Sequence, residues 1–350
     1  MYLQTNPNKN MNNKDLLKLL NNVQEQGDDT PKQRRVLLID ALNLFFRNFA
    51  VINAVNEKGI HIGGLGGFFR SLGAMIKQIE PTEVYIVWDG VGSSNNRKNI
   101  IPEYKSERNI SRITNWEAFD SHEEEDDSKI DQLVRIVQYI KTLPVRSLSI
   151  DKVEADDIIA YLSNTLPTNP NDRVFIVSSD KDYLQLVNEQ VIVYSPIIKK
   201  YYTKNTVEEQ FGILPHNFIL YKVLMGDNSD KIPGVKGLGE KKLYKLFPEL
   251  KGDKIELNDI LRISENKLKE HIIYARILND PNSLKKRYKV MDLQNPMIDE
   301  SDKQYIEEYL TTYTPQYQPQ EFIKMYEQDR LGNLIRNVNV WLKECFENLK

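Results

Sequence analysis

The sequence predicts an α/β protein, with a central, mostly parallel sheet flanked by helices and a C-terminal region that is helical. Three observations carry this. Short, continuous apolar runs at 36–39, 84–88 and 174–177, with a strand of mixed residues at 145–150, alternate with stretches of helical periodicity, the pattern of parallel strands buried on both faces. Each of those runs ends in, or leads directly into, aspartate or glutamate. From about residue 255 onward the apolar spacing is helical.

At 350 residues the chain can bury one large core or two moderate ones. Its 40% hydrophobic and 28% charged residues place it among soluble globular proteins. No apolar run approaches the roughly 18–20 residues that cross a membrane. The first residues lack the apolar core of a signal peptide, so no secretion is expected. Cys345 is the only cysteine, which excludes an internal disulfide and a cysteine-rich zinc site. A net charge of −3 argues against a uniformly basic nucleic-acid binder and leaves room for local patches.

Residues 1–32 are rich in Asn, Lys and Gln, and a disordered N-terminal extension is expected there. A helix at 15–23 would be too short to stand alone. The first strand ends on Asp40, and after the glycine-rich stretch 63–67 the spacing of Leu65, Phe68, Phe69, Leu72 and Ile76 predicts a helix. The second strand ends on Asp89. Up to the helix near Lys129 the chain is polar, first basic and aromatic (Arg97, Lys98, Tyr104, Lys105, Arg108, Arg112, Trp116), then acidic at 123–127. A loop of this length is usually functional or disordered. Its basic half suits phosphate, with Tyr104 or Trp116 stacking on a base, and its acidic run reads as a solvated, flexible flank.

The third strand leads into a helix start carrying Glu154, Asp156 and Asp157. One acid there would be ordinary capping; three together create repulsion that a hard divalent cation relieves. Glu154 and Asp157, three apart, share a helical face. The fourth strand runs into Asp180 and Asp182. Open parallel sheets bind ligands beyond the carboxyl ends of their strands. Carboxylates converging there form a pocket that only metal ions or strong pKa shifts make tolerable. Metal is the better reading.

Two short strands at 191–194 and 197–201 flank Ser195-Pro196, and helices are expected at 206–211 and 215–225. The next stretch carries Asp227 and Asp230, then Gly234, Lys236, Gly237 and Gly239, then a helix start with Lys241, Lys242 and Lys245. Tight glycine turns exposing N–H groups beside lysines suit a phosphodiester backbone gripped without reading sequence. A final helix at 331–349 places Leu334, Val338, Trp341, Leu342 and Phe346 on one face, for docking onto its own domain. Residues 320–326 resemble half of a sliding-clamp-binding peptide, without its second aromatic.

Val-Glu-Ala-Asp-Asp at 153–157, Ser-Ser-Asp-Lys-Asp at 178–182 and Gly-Asp-Asn-Ser-Asp-Lys-Ile-Pro-Gly-Val-Lys-Gly-Leu-Gly at 226–239 occur in this order. Together they resemble the structure-specific 5′-nuclease superfamily of flap endonucleases and 5′→3′ exonucleases. Within it, Ser195-Pro196 followed by Lys199-Lys200, and the tail at 322–349, resemble the phage-type ribonuclease H branch. The resemblance implies a PIN-like 5′-nuclease fold with a nuclease core at 33–203, including an arch at about 92–128. The helical region at 204–350 would hold a helix-hairpin-helix-like DNA-binding element at about 226–247. It assigns Asp40, Asp89, Glu154 and Asp156 to a first metal site, and Asp157, Asp180, Asp182, Asp227 and Asp230 to a second. Tyr104, Lys105 and Arg108 match arch positions that contact the scissile phosphate. Arg47, seven residues after Asp40, matches a family arginine and is expected, with Arg97 and Lys98, to meet nucleic acid. Lys231 departs from the Asn that many members carry after the last aspartate.

The implied chemistry is hydrolysis of a phosphodiester near a 5′ end by two Mg²⁺ or Mn²⁺ ions, one activating water and one stabilising the leaving 3′-oxygen. No histidine is placed as a general base, and none is needed once a metal acidifies water. The implied substrates are branched or nicked duplex DNA and RNA–DNA hybrid, with removal of lagging-strand RNA primers in phage DNA replication as the role. The resemblance also implies a monovalent cation at the 234–239 turn. Partner proteins would be a single-strand-binding protein and a sliding clamp, and the setting a monomer in the cytoplasm of a phage-infected bacterial host. One alternative is a catalytically silent scaffold for branched DNA, which would be expected to have lost carboxylates. Another is a toxin-like PIN ribonuclease, which leaves the glycine–lysine element at 234–242 unexplained.

Overall fold

The computed structural model describes residues 33–106, 115 and 117–349. The expected N-terminal extension at 1–32, and Arg108, Arg112 and Trp116, lie outside the described residues. The chain begins β1 (Arg35–Asp40), α1 (Ala41–Val51), α2 (Gly63–Ile79), β2 (Glu83–Val87), α3 (Asn95–Ile100), α4 (His122–Ile140), β3 (Arg146–Leu148) and α5 (Ala155–Thr165). It continues through β4 (Arg173–Val177), a 3₁₀ turn (Lys181–Leu186), β5 (Val191–Ser195) and β6 (Lys200–Tyr202). The strand order is β3-β2-β1-β4-β5-β6, parallel throughout except for β6. The chain winds outward from β1 to β3 on one side, then returns to β4 on the other. Between β1 and β4 lies the switch point where such sheets open a crevice.

Alternation along β1 divides the core. Val36 and Leu38 face one buried cluster and Leu37 and Ile39 the other, with Leu38 in register with Tyr85 and Ile176. On the first face pack α5 and the helices that follow β6: α6 (Lys204–Phe211), α7 (Phe218–Met225), α8 (Glu240–Leu246), α9 (Leu257–Asn266), α10 (Ile272–Asn279), α11 (Pro281–Met291) and α12 (Glu300–Thr312). On the second face pack α1, α2, α4 and the last two helices, α13 (Pro319–Gln328) and α14 (Val338–Phe346).

The tail therefore packs on the opposite face of the sheet from α12 and completes the core built by the first helices, so the apolar face expected to dock within the chain does so against the α/β core. Glycines make the seat: a Cβ at Gly73 would come within 2.1 Å of Trp341 Nε1, and one at Gly66 within 2.1 Å of Leu334 Cδ2. These glycines sit mid-helix despite their low propensity, because a larger residue would displace the tail. Phe322, Met325 and Tyr326 are buried in the same core. This corrects the sliding-clamp reading of 320–326, since the side chains that would anchor such a peptide face inward. The final helix is also shorter than expected, with residues before Val338 forming turns.

The acidic run at 123–127 is likewise not a loose flank. It forms the first turns of α4, N-capped by Ser121, whose Oγ accepts from the Glu124 N–H at 3.1 Å. Carboxylates there favour the helix dipole. Glu125 is 1% exposed, accepts from the Asn115 N–H at 2.9 Å and pairs with Lys129.

Candidate metal centre

β1 delivers Asp40 as the N-cap of α1, its Oδ1 accepting from the Asn43 N–H at 3.1 Å. Beside it, Asp89 follows β2 and accepts from the Ala155 N–H at 2.7 Å, which ties the second strand to the start of α5. Glu154 is the N-cap residue of α5 and Asp156 lies in its first turn. Asp180 follows β4 and caps the 3₁₀ turn through the Asp182 N–H at 2.9 Å. Asp40, Asp89, Glu154, Asp156 and Asp180 line one cavity of about 470 Å³, together with Arg47, Lys105 and Tyr183. Parallel pairing brings the strand ends to one rim, so residues far apart in sequence share the pocket.

The cavity carries more negative charge than its hydrogen bonds settle. Burial, with Asp89, Asp180 and Asp156 nearby, pushes the Asp40 carboxyl up to about 7 against the help of Asn43. Burial raises Asp89 as well, opposed by the Ala155 N–H. Asp156 Oδ1 is buried and accepts no hydrogen bond, and the Arg97 guanidinium is 3.6 Å away. An orphaned buried carboxylate oxygen beside other carboxylates is the chemistry of a hard-cation site.

A second cluster adjoins the first. A two-residue ladder of β7 (Gly226–Asp227) and β8 (Ile232–Pro233) holds the turn carrying Asp227 and Asp230. One carboxylate oxygen from each of Asp182, Asp227 and Asp230 lies within 4.8 Å of the others. Lys222, from α7, forms ion pairs with both Asp182 and Asp227. Burial opposes ionisation of Asp227, but Lys222 and the Ser229 hydroxyl and N–H hold its carboxyl down at about 2. Asp182 is raised by burial and by Asp180.

Two assignments change. Asp157, expected with the second site, groups with Glu154 and Asp156. Its oxygens accept from Arg97 NH1 at 2.6 Å, Arg97 NH2 at 2.9 Å and the Met297 N–H at 2.9 Å. Arg97, expected to meet nucleic acid, is 2% exposed. Its guanidinium is consumed by Glu154, Asp157 and the Val290 carbonyl, the last at 2.9 Å. A bidentate fork between buried carboxylates compensates charge that burial would otherwise penalise.

Tyr104 is also buried, its hydroxyl donating to Glu154 Oε2 at 3.1 Å. Lys105 reaches the cavity wall, ion-paired with Glu154, while its N–H donates to the Asp230 carbonyl at 3.1 Å. Arg47 lines the cavity and donates to the Pro196 carbonyl at 2.8 Å. Lys98, Lys236, Lys241 and Lys242 are exposed. At the glycine turn, Gly237 has φ +76°. A Cβ on Gly234 would lie 2.1 Å from the Met225 carbonyl oxygen, and Gly239 is the N-cap residue of α8. The carbonyls of Lys236 and Gly237 accept from Arg276 and Lys242 at 2.6 and 3.1 Å.

Lys222 escaped the sequence reading. Its signal was present as a lysine inside the apolar run Phe-Ile-Leu-Tyr-Lys-Val-Leu-Met, five residues before Asp227. A charge on an otherwise buried helix requires an acidic partner.

A twisted α/β sheet with an acidic crevice at its switch point defines the class as a nuclease fold, and comparisons with known proteins agree. Residues 35–212 match the family described as 5′-3′ exonuclease, N-terminal resolvase-like domain. A 5′-3′ exonuclease of Bacillus subtilis (strain 168) is 32% identical over 226 residues, covering 61% of this chain and 70% of that protein. DNA polymerase I of Lactococcus lactis subsp. lactis (strain IL1403) is 32% identical over 249 residues, which span 68% of this chain but 27% of the polymerase. Among solved structures, the bacteriophage T5 flap endonuclease in complex with DNA and metal ions superposes with a TM-score of 0.60. The match has 19% identity and covers 89% of this chain and 100% of the phage protein.

The chain belongs to the 5′-3′ exonuclease family, a group within the 5′-nuclease superfamily, and is a nuclease. No described helix is long and apolar enough to cross a membrane.

Proposed function

We propose that this protein is a divalent-cation-dependent 5′-nuclease that hydrolyses phosphodiester bonds near 5′ ends, as an exonuclease and as a flap endonuclease. The observation that carries the reading is the convergence of Asp40, Asp89, Glu154, Asp156 and Asp180 on one cavity at the strand ends. Asp40, Asp89, Glu154 and Asp156 are assigned to a first ion, and Asp180, Asp182, Asp227 and Asp230 to a second. Mg²⁺ is the expected ion and Mn²⁺ the substitute. When bound, such ions supply an activated water and stabilise the leaving oxygen.

The chain's own residues do the rest. Asp157 fixes the Arg97 guanidinium, which pairs with Glu154, and Tyr104 donates to the same carboxylate. Lys105 and Arg108 neutralise charge developing on the scissile phosphate. Lys98, Lys236, Lys241 and Lys242 bind the phosphate backbone without reading sequence. Domain boundaries follow the same reading, with a nuclease core at 33–203 and a duplex-binding element at 226–247.

The substrates proposed are branched or nicked duplex DNA and RNA–DNA hybrid, in removal of lagging-strand primers during phage replication, beside a single-strand-binding protein. Support for that finer role is the resemblance of 195–200 and of the tail to phage-type ribonuclease H. Product mapping on 5′-labelled flap, nicked duplex, RNA–DNA hybrid and single-stranded RNA, with Mg²⁺, Mn²⁺ or EDTA, tests it. Metal-dependent release of 5′-phosphorylated products from flap and hybrid is expected. Cleavage confined to single-stranded RNA, or undiminished in EDTA, would sink it.

A further inference from the structure

The second cluster holds a cation of its own. Lys222 stands on α7, whose other side chains are mostly buried in the core, and its side chain is 10% exposed. The ammonium pairs with Asp182 and Asp227 together. Those two carboxylates and Asp230 each offer an oxygen within 4.8 Å of the others, as Glu154, Asp156 and Asp157 do in the first cluster. An ammonium has three donors and no acceptor, so it takes up carboxylate oxygens that a divalent ion would use and repels that ion at short range. In the first cavity the cations sit differently: Arg97 and Lys105 both pair with Glu154, whereas no ion pair reaches Asp40 or Asp89 among the described residues. Asp156 Oδ1 and Asp182 Oδ1, one in each cluster, accept no hydrogen bond.

We infer that Lys222 is a built-in competitor for the second divalent ion: its ammonium fills the space between Asp182 and Asp227, and the ion enters only when Lys222 withdraws. The inference rests on reading these carboxylates as cation ligands. The protein then has one standing divalent site and one conditional site. Withdrawal is mechanically feasible, because a lysine ammonium rides on a flexible four-carbon stem.

Mn²⁺ binding to the full-length protein, followed by electron paramagnetic resonance of the free ion, tests this without reference to activity. Wild type should show one tight site and a second at least about tenfold weaker. Lys222→Met and Lys222→Gln should each tighten the weaker site at least about tenfold, a difference of about 1.4 kcal/mol. Asp156→Ala combined with Lys222→Met should lose the tight site and keep the strengthened one. Should either Lys222 variant fold poorly, thermal melting provides a second readout, with Mn²⁺ raising the melting temperature more in the other variant than in wild type. A second-site affinity unchanged or weaker in the Lys222 variants overturns the competitor role and leaves the nuclease reading standing. Mn²⁺ bound by none of these proteins removes the ligand assignment and the competitor role together.

Discussion

The two carboxylate clusters solve one electrostatic problem in different ways. The first is assembled from the ends of β1, β2 and β4 and the start of α5, elements locked by the sheet. Its cations, Arg97 and Lys105, stand on Glu154, Asp156 and Asp157, while Asp40 and Asp89 carry raised pKa values caused first by burial. The second is assembled from a 3₁₀ turn, a two-residue ladder and a loop, with Lys222 paired to both Asp182 and Asp227. A rigid frame can hold Asp40 and Asp89 beside other carboxylates with no ion pair to either among the described residues. A cluster on short elements needs a counter-ion in its midst. The difference teaches that the position of a buried cation, as well as the count of carboxylates, sets how a cluster balances its charge.

Breaking the first cluster should have the largest effect. Asp156→Ala is expected to lower cleavage in Mg²⁺ by about a thousandfold or more, the scale of a lost preorganised electrostatic contact. Binding to an uncleaved duplex measured in Ca²⁺ should change little. Near-normal cleavage would remove Asp156 from the chemistry. Removing the peripheral support comes next: Arg97→Ala strands Glu154 and Asp157 and should cost about 3–5 kcal/mol of stability by urea unfolding. A loss under 1 kcal/mol would mean the fork is dispensable.

The proton-held centre sets a third expectation. Asp40 is raised to about 7 in the folded state from an ordinary value of 3.8. Between those values the folded protein binds the proton that the unfolded chain has released. Stability of the metal-free protein should therefore fall as pH rises from about 4 to 7, by up to about 4 kcal/mol from this group. In EDTA, Asp40→Asn should flatten that slope while preserving the helix cap; equal slopes in both proteins would contradict it. In the loop of the second cluster, Lys231 has φ +60°, a left-handed conformation that favours Asn over Lys. Lys231→Asn should raise stability by at most about 1 kcal/mol, and a loss in thermal melting would show that the lysine side chain matters more than its backbone. The smallest effect belongs to the exposed lysines. Lys242→Ala should weaken duplex binding evenly across sequences and reduce the salt slope by about one.

Much of this was legible in the residues. Apolar runs ending in acid identified four parallel strands and their functional ends, because strand burial and a carboxylate at the rim are both local properties. The hairpin after Asp182 and the turn at 226–239 were legible for the same reason, as Gly226, Gly234 and Gly237 mark tight backbone. Arg97 was misread because a basic residue in a polar segment looks like a phosphate contact, and nothing local shows that α5 and the 290–297 segment will close over it. The acidic run at 123–127 is solvated as expected at Glu123, Glu124, Asp126 and Asp127, but it read as flexible because the order of the helix around buried Glu125 comes from Asn115 and Lys129.

The sequence by itself determined the α/β class, the carboxylate inventory and the family, since alternation, strand ends and motif order are written along the chain. Only the tertiary structure decided which carboxylates share a cavity, that Asp157 turns to Arg97, that the tail crosses to seat on Gly66 and Gly73, and that Lys222 stands within the second cluster. Each of those depends on which surfaces meet. Burial and pairing energies are set by neighbours brought together from distant parts of the chain, and no local pattern carries that information.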